Sequence, residues 1–485
     1  MSISTFNGLN IASLALAAQQ RALDVTSHNI ANANTEGYTR QRADLAAAEP
    51  LANVGIWGMI LPGQLGQGVT VDGYRRIRDV FNDSQLRQEW GRKEAQDVAY
   101  RDLSGVQQAL PEPGDSGLQS LMTKFWNAWQ DVSNNPENVA ARQSLVQSAA
   151  TLTGAMNAAW SQMDALRQND DSELDSTVTQ VNDITAELAS LNQKISDLVL
   201  AGAQVDPTTL AVIKPGQVPN DLLDRRDVLL DKLSKLGDLT SVTYDDRMRA
   251  TVTFAGATVV TASAGQTAIT RGDLDTAYTT GALTRGSGFA LEQGYNVTLN
   301  ESDPTSYPAQ LNALAQALHD RVNAQHAAGF DLNGAVGGEF FTFAPAAGPP
   351  GAAKRIGVSQ ALLDDPRLVA ASDAAGAPGS NVNALAMIGL KDATTVGGTT
   401  FAQFYTSTIT RIGADASAAR SGSDASDLVA SGLESRRASV SGVSLDEEMT
   451  NMLKFQHAYS AAARVLSAMD DNLNRLINST GRVGL

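Results

Sequence analysis

Two heptad series, one at each end of the chain, constrain this fold more than anything between them. Leu445, Met452, Tyr459, Leu466 and Leu473 recur every seven residues, and three places on stand Glu448, Phe455, Ala462, Met469 and Leu476. That spacing is the seam of a helix made to lie against another helix. Ser444 precedes Glu447 by three residues, the spacing of a capping box, and Asp446, Glu447 and Glu448 put negative charge on the positive end of the helix. The pattern predicts a helix of about 30 residues, roughly 45 Å long, that requires a partner. The other end of the chain offers one, because Leu9, Leu16, Leu23 and Ile30 also recur every seven residues. Between Met1 and Thr35 only Arg21 and Asp24 are formally charged. A helix facing water normally carries a charged side, so this one is built to be surrounded, and the two ends are expected to form a coiled coil.

The interior reads as mainly α with an inserted β domain. At 485 residues there is room for about three domains. The expected division is 1–54 with 430–485 as the terminal coiled coil, 55–238 with 305–429 as a helical bundle, and 239–304 as a small antiparallel β domain. Gly55, Gly58, Pro62-Gly63, Gly66 and Gly68 break the chain after Tyr38, with a short alternation at Val69-Thr70-Val71. From Ser84 to Leu236 the period is helical. Ser116 and Gln119 have capping-box spacing, and Leu118, Leu121, Met122, Phe125, Trp126 and Trp129 share one face, with the tryptophans as core anchors. Asn135-Pro136-Glu137 is the expected start of the next helix, through Leu145, Leu152, Met156, Met163 and Leu166. A third helix carries Val181, Leu188 and Ile195, so antiparallel helices joined by short turns are expected. A further helix covers Asp224–Leu236. Alternation over Leu239–Leu299 then predicts strands, including Val242-Thr243-Tyr244, 250–254 and Thr258-Val259-Val260. Helical spacing resumes at Leu311, Leu314, Leu318 and Val322, and after a loop containing Gly348-Pro349-Pro350-Gly351 a last inner helix covers Phe401–Ala419.

Composition excludes several functions. The net charge of −16 disfavours nucleic acid and anionic membrane surfaces as partners. The absence of cysteine removes disulfides, thiol nucleophiles and thiolate metal sites, leaving four histidines for metal or proton chemistry. No stretch approaches the ~20 apolar residues of a membrane span. Nor does a basic segment precede an apolar run at the N-terminus, so no cleavable signal is expected, which by itself would place the protein in the cytosol. Asp331-Leu332-Asn333-Gly334 with Glu339 has part of a calcium loop but neither its alternating ligand series nor its closing glutamate, and reads as a turn. His319 and His326 are seven apart rather than the four of a zinc pair, and belong to helix faces. Asp224, Arg225, Arg226 and Asp227 are expected to form surface ion pairs worth less than ~1 kcal/mol each. With no phosphate loop or nucleophile elbow, nothing points to catalysis, a cofactor or a metal.

One resemblance gives these patterns a function. Ser27-His28-Asn29-Ile30-Ala31-Asn32-Ala33-Asn34-Thr35-Glu36-Gly37-Tyr38-Thr39-Arg40-Gln41 resembles the signature after the first helix of bacterial flagellar rod, hook and hook-associated proteins. Ser441-Gly442-Val443-Ser444-Leu445-Asp446-Glu447-Glu448, with Phe455-Gln456-His457-Ala458-Tyr459, resembles the closing signature of the same group. Leu222–Leu230 and Asn323–Gly334 narrow the likeness to the hook–filament junction. The resemblance implies a structural subunit that polymerises into a tubular homo-oligomer, with both ends lining its inner tube. Its implied interface is Leu9, Leu16, Leu23, Ile30, Leu445, Met452, Phe455, Tyr459, Leu466, Met469, Leu473 and Leu476. Implied partners are the hook protein, a second junction protein and an export chaperone on the C-terminal helix. Export would follow the flagellar type III route, without a cleaved signal, to the extracellular flagellum. The alternatives are another axial protein (hook, rod or second junction protein) or a rod-type protein carrying a cell-wall hydrolase.

Overall fold

The computed structural model describes residues 5–49, 66–209, 211–263, 265–345 and 351–479. The breaks expected at Gly55, Gly58 and Pro62-Gly63, the Gly348-Pro349-Pro350 segment and the side chain of Leu476 lie outside the described residues. The chain starts on α1 (Thr5–Ala31) and passes into an antiparallel hairpin, β1 (Gln41–Ala47) and β2 (Val69–Arg76), with a bulge at Asp44/Leu45. In α2 (Val80–Ala109) the Asp79 carboxylate accepts from the Phe81 and Asn82 amides, a side-chain N-cap. Next come α3 (Leu118–Asn134) and α4 (Val139–Leu200). A ribbon of β3 (Gln204–Val205) and β4 (Val212–Lys214) leads to α5 (Asn220–Leu236). Strands β5 (Leu239–Tyr244), β6 (Ala250–Phe254), β7 (Ala257–Thr261) and β8 (Gly265–Gln266) make an antiparallel sheet in chain order.

After the sheet, α6 (Arg271–Thr279) and α7 (Gly286–Gln293) follow, and α7 runs on into one π turn, Gly294–Thr298. The chain then returns through α8 (Tyr307–Ala327), β9 (Phe341–Phe343), α9 (Ala352–Arg355), β10 (Ile356–Val358), α10 (Gln360–Asp364) and α11 (Val382–Gly389). It closes with α12 (Phe401–Ser441) and α13 (Leu445–Ser479). α12 lies antiparallel on α2, since Asn82 bonds the Leu433 carbonyl and Asp97 meets Ser423. α1 and α13 are antiparallel too, with Gly8 against Met469 and Asn29 bonded to Glu448.

Where two helices and a turn were expected, α4 is one helix of 62 residues. No proline lies between Pro136 and Pro207, and the buried row keeps phase through Met163, Asp170, Leu174, Thr177 and Val181. The helix therefore serves two cores in succession. Its first half packs Leu145, Leu152, Met156 and Met163 with Phe125, Trp129, Leu311, Phe340 and Phe401. Its second half packs Leu174, Val181, Leu188 and Ile195 with Leu230, Val252, Phe254 and Leu291. Trp126 and Trp129 are core anchors, 5% and 0% exposed.

Several boundaries differ from the sequence reading. Gln119's amide donates to Glu112 Oε1 at 2.9 Å, and α3 has Gly117 as its N-cap, so the Ser116 capping box is not made. α4 starts three residues later than expected, because Asn138 rather than Asn135 caps it, its Oδ1 accepting from Ala140 and Ala141. The sheet ends at Gln266, and the rest of the stretch read as alternating is α6, α7 and the π turn. α12 continues past Ala419 to Ser441 because it has α2 to lie on for most of that length. The Asp331 segment is an Asx turn, with Oδ1 accepting from the Asn333 and Ala335 amides.

His326 is fully buried. With Gly338's carbonyl 2.7 Å from Nδ1 and Ala370's amide donating to Nε2 at 2.9 Å, the ring is a neutral Nδ1–H tautomer. Burial, reinforced by Arg142, lowers its pKa to about 4. The unfolded chain, with an ordinary histidine near pH 6.5, binds the proton more readily in this window, so folded stability rises with pH from about 4 to about 6.5. This one group contributes up to about 3 kcal/mol of that rise. His326→Gln is expected to flatten that part of the profile in denaturant titrations from pH 4 to 7. Parallel profiles would show the ring to be insensitive.

Candidate functional site: the terminal seam and the polar joint

α1 and α13 pair with each other, but the best-buried row on α1 is made of smaller residues than its heptad leucines. Ala12, Ala18, Ala22, Thr26 and Asn29 are buried, while Leu9, Leu16, Leu23 and Ile30 are half-buried. On α13, Met452, Phe455, Ala462, Leu466, Met469 and Leu473 are half-buried. Leu445 and Tyr459 stay exposed, at 51% and 36%, as do Met449, Leu453 and Val465. Small side chains on α1 let the helix axes approach closely, so the leucines flank the contact rather than fill it. At Gly8 a Cβ would stand 2.6 Å from Met469 Cε, so the Met469 side chain reaches onto α1 there.

At the base of this seam the two terminal signatures converge on one polar joint. Asn29, 1% exposed, satisfies its whole amide group there. Its Oδ1 accepts from Tyr38 Oη at 2.8 Å and from the Gln41 amide at 3.0 Å. Its Nδ2 donates to the Gln41 carbonyl at 2.9 Å and to Glu448 Oε2 at 3.1 Å. Arg40 completes the contact, with Nε on Glu448 at 2.8 Å, Nη1 on Glu447 at 2.7 Å and its amide on the Ser441 carbonyl at 2.9 Å. Glu447 thus faces Arg40, and its amide makes only a long 3.5 Å contact to Ser444 Oγ. Burial and the surrounding carboxylates Asp221, Asp224 and Glu448 keep the Tyr38 phenol protonated. Gly37 has a left-handed φ of +76°, and a Cβ there would stand 2.0 Å from Val228, so the loop closes on α5 only with glycine.

The second half of the joint overturns the expectation of surface pairs on α5. Asp224, Arg226 and Asp227 are buried; of the four, only Arg225 is exposed, paired with Glu187. Asp224 accepts from Arg76 at 2.9 Å and from the Thr39 amide at 3.1 Å. Asp227 takes Arg76 at 2.7 Å and Arg78, with Arg87 beside it. Asp231 binds Arg87 at 2.6 Å and Arg437 of α12 at 2.9 Å. Burial pushes the Asp227 carboxyl up, but Arg78, Arg76, Arg226 and Arg87 outweigh it and hold it below its ordinary range. Asp224 is raised by burial, which Arg76 and Thr39 only partly offset. Asp224, Asp227 and Asp231 stand at i, i+3 and i+7, one helix face. That spacing was readable; the arginines it faces come from three distant segments and were not.

The joint thus ties α1, β2, α2, α5, α12 and α13 together through ion pairs and amides, and in the cleft beside it the carboxylates of Asp227 and Asp231 are engaged by arginines and that of Glu434 by Trp90 Nε1 at 2.9 Å. Comparison with known proteins agrees with a structural role. Residues 103–341 match the flagellar hook-associated protein FlgK helical domain. Residues 9–39 match the flagella basal body rod protein, and 435–479 the flagellar basal body rod FlgEFG protein C-terminal. The chain is 33% identical to flagellar hook-associated protein 1 of Bacillus subtilis (strain 168), over 99% of each chain. It is 27% identical to the protein of that name from Escherichia coli (strain K12), over 97% of this chain and 99% of that one. Its fold is similar to the flagellar hook junction protein FlgK from Burkholderia pseudomallei, with a TM-score of 0.56 at 17% identity, over 74% of this chain and 100% of that one. With full-length relatives on this scale, both terminal signatures in place and the helical domain between them, the chain belongs to the flagellar hook-associated protein 1 family and is a structural, non-enzymatic component of the extracellular flagellar axis.

Proposed function

We propose that this subunit joins hook to filament by packing its paired termini into the wall of an inner tube. The supporting observation is the apolar surface left beside the seam: Leu445, Met449, Leu453, Tyr459 and Val465 stay exposed on α13 after α1 has covered its other side. Neighbouring copies cover that surface in a head-to-tail arrangement, which makes a helical tube rather than a closed dimer. The interface is then Leu9, Leu16, Leu23, Ile30, Leu445, Met452, Phe455, Tyr459, Leu466, Met469, Leu473 and Leu476. Residues 1–54 and 430–485 form the inner layer; 55–238 with 305–429, and the insertion 239–304, lie outside it. The polar joint fixes the angle between the layers. Hook protein contacts one end of the assembly and a second junction protein the other, and an export chaperone covers the apolar face of α13 before assembly.

A strain lacking the gene should carry hooks without filaments in electron micrographs, and the full chain should restore filaments. Deletion of Ser441–Leu485 should abolish both restoration and chaperone capture in pull-downs. Filaments in the uncomplemented strain would refute the junction role, and normal capture by the truncated chain would move the chaperone site elsewhere.

A further inference from the structure

Between the two cores the molecule has a polar waist that assembly does not explain. Asp102 of α2 stands between Val98, in one core, and Leu103 and Val106, in the other. Asp170 stands likewise on α4 between Met163 and Leu174. They are 3% and 2% exposed. Arg101 holds one oxygen of each, with Nε 3.2 Å from Asp102 Oδ1 and Nη2 3.5 Å from Asp170 Oδ1, while its Nη1 is 2.7 Å from Glu173. Both Oδ2 atoms are buried and have no hydrogen-bond partner among the described residues. Both also lie within 3.0 Å of where a Cβ on Gly294 would stand, so they converge on the first residue of the π turn.

We propose that Asp102 and Asp170 share one proton between their Oδ2 atoms, and that this proton is a catch closing α4 on α2 and the π turn. One arginine cannot neutralise Asp102, Asp170 and Glu173 together. Two buried carboxylates aimed at one point cannot both stay ionised at low cost, and a single bridging proton turns their repulsion into a hydrogen bond. Across the cleft that Asp102 lines, Asp415 of α12 accepts from Tyr307 Oη at 2.6 Å and Arg411 lies over the Tyr307 ring. On α4, Arg167 lies over the Tyr295 ring, and Arg271 of α6 binds Asp171 and Glu292. Burial raises both carboxyls above their ordinary range, and Asp102 raises Asp170 further. An acid raised on folding binds its proton more tightly in the folded chain. Its contribution to stability is therefore full below the ordinary carboxylate pKa of about 4 and falls as pH climbs through the raised value. Alkaline pH releases the catch, and repulsion loosens α4 from α2 at the waist.

The test compares the full-length chain with Asp170→Asn, whose amide supplies permanently the hydrogen that the proton supplies in the wild type. The wild type should melt several degrees lower at pH 9 than at pH 6 relative to the variant. It should also show the infrared carbonyl band of a protonated carboxylic acid at pH 7, absent from the variant. Asp102→Asn should behave the same way, and serves if Asp170→Asn does not fold. Parallel pH profiles, or no such band in the wild type at pH 7, would overturn the proposal. So would a wild-type melting temperature raised by millimolar calcium or magnesium and unaffected in the variant, since the pair would then hold a cation and not a proton.

Discussion

Asp227→Ala is expected to cost about 3 kcal/mol of stability, because it removes the carboxylate that three buried guanidiniums share and leaves each with a single counter-charge: Asp224 for Arg76, Asp83 for Arg78 and Asp231 for Arg87. Arg76 and Arg78 both bond this carboxylate and Arg87 lies 3.8 Å from it, each arginine side chain being no more than 15% exposed. The unbalanced positive charge then sits where β2, α2 and α5 meet. The damage should therefore concentrate at the joint, and limited proteolysis should cut first within 66–80. Arg225→Ala is the control: its pair with Glu187 is half exposed on both sides, and its loss should stay within ~0.5 kcal/mol. The joint should also be acid-labile. Asp227 is held below its unfolded value, so its contribution is in place above about pH 4 and is lost as pH falls through the folded value. If denaturant midpoints of Asp227→Ala and Arg225→Ala coincide, the ion-pair network is not what holds the layers together.

The second large effect concerns assembly. Leu466 is half-buried on α13 facing α1, and belongs to neither outer core. Leu466→Asp puts a carboxylate into the seam at a cost of several kcal/mol once neighbouring copies close over it. In the free subunit its open side can still reach water, so melting of the outer cores should be unchanged. In cells, incorporation at the hook tip should be lost, filament subunits should escape to the medium, and motility should fall to background. Ser467→Asp, at an exposed neighbouring position, should assemble normally. Motile cells with normal filaments in the Leu466→Asp strain would remove the seam as the assembly interface. Early melting of the free subunit would instead make the seam part of a closed domain.

How much of this was legible in the chain depended on the range of the forces concerned. The seven-residue repeats of α1 and α13 were readable because a helix seam is periodic in its own sequence, and each end lacked any other use for its apolar stripe. The same holds for Phe125, Trp126 and Trp129 in α3, where amphipathic spacing already names the buried face. Helix ends were less legible: Asn135-Pro136 and Ser116 carry the right chemistry, yet Asn138 and Glu112 cap the helices, because several polar residues compete for the same amides. The length of α4 was hidden by reading its two heptad runs apart, although their phase is continuous through Asp170. Tertiary structure alone decided the joint and the waist. Asp224 and Asp227 look like solvated surface charges until Arg76, Arg78 and Arg87 arrive from other segments. Asp102 and Asp170, remote in sequence, converge only because α2 and α4 pack together beside Gly294. Apolar periodicity is written locally, whereas a buried charge is explained only by the partner that folding brings to it.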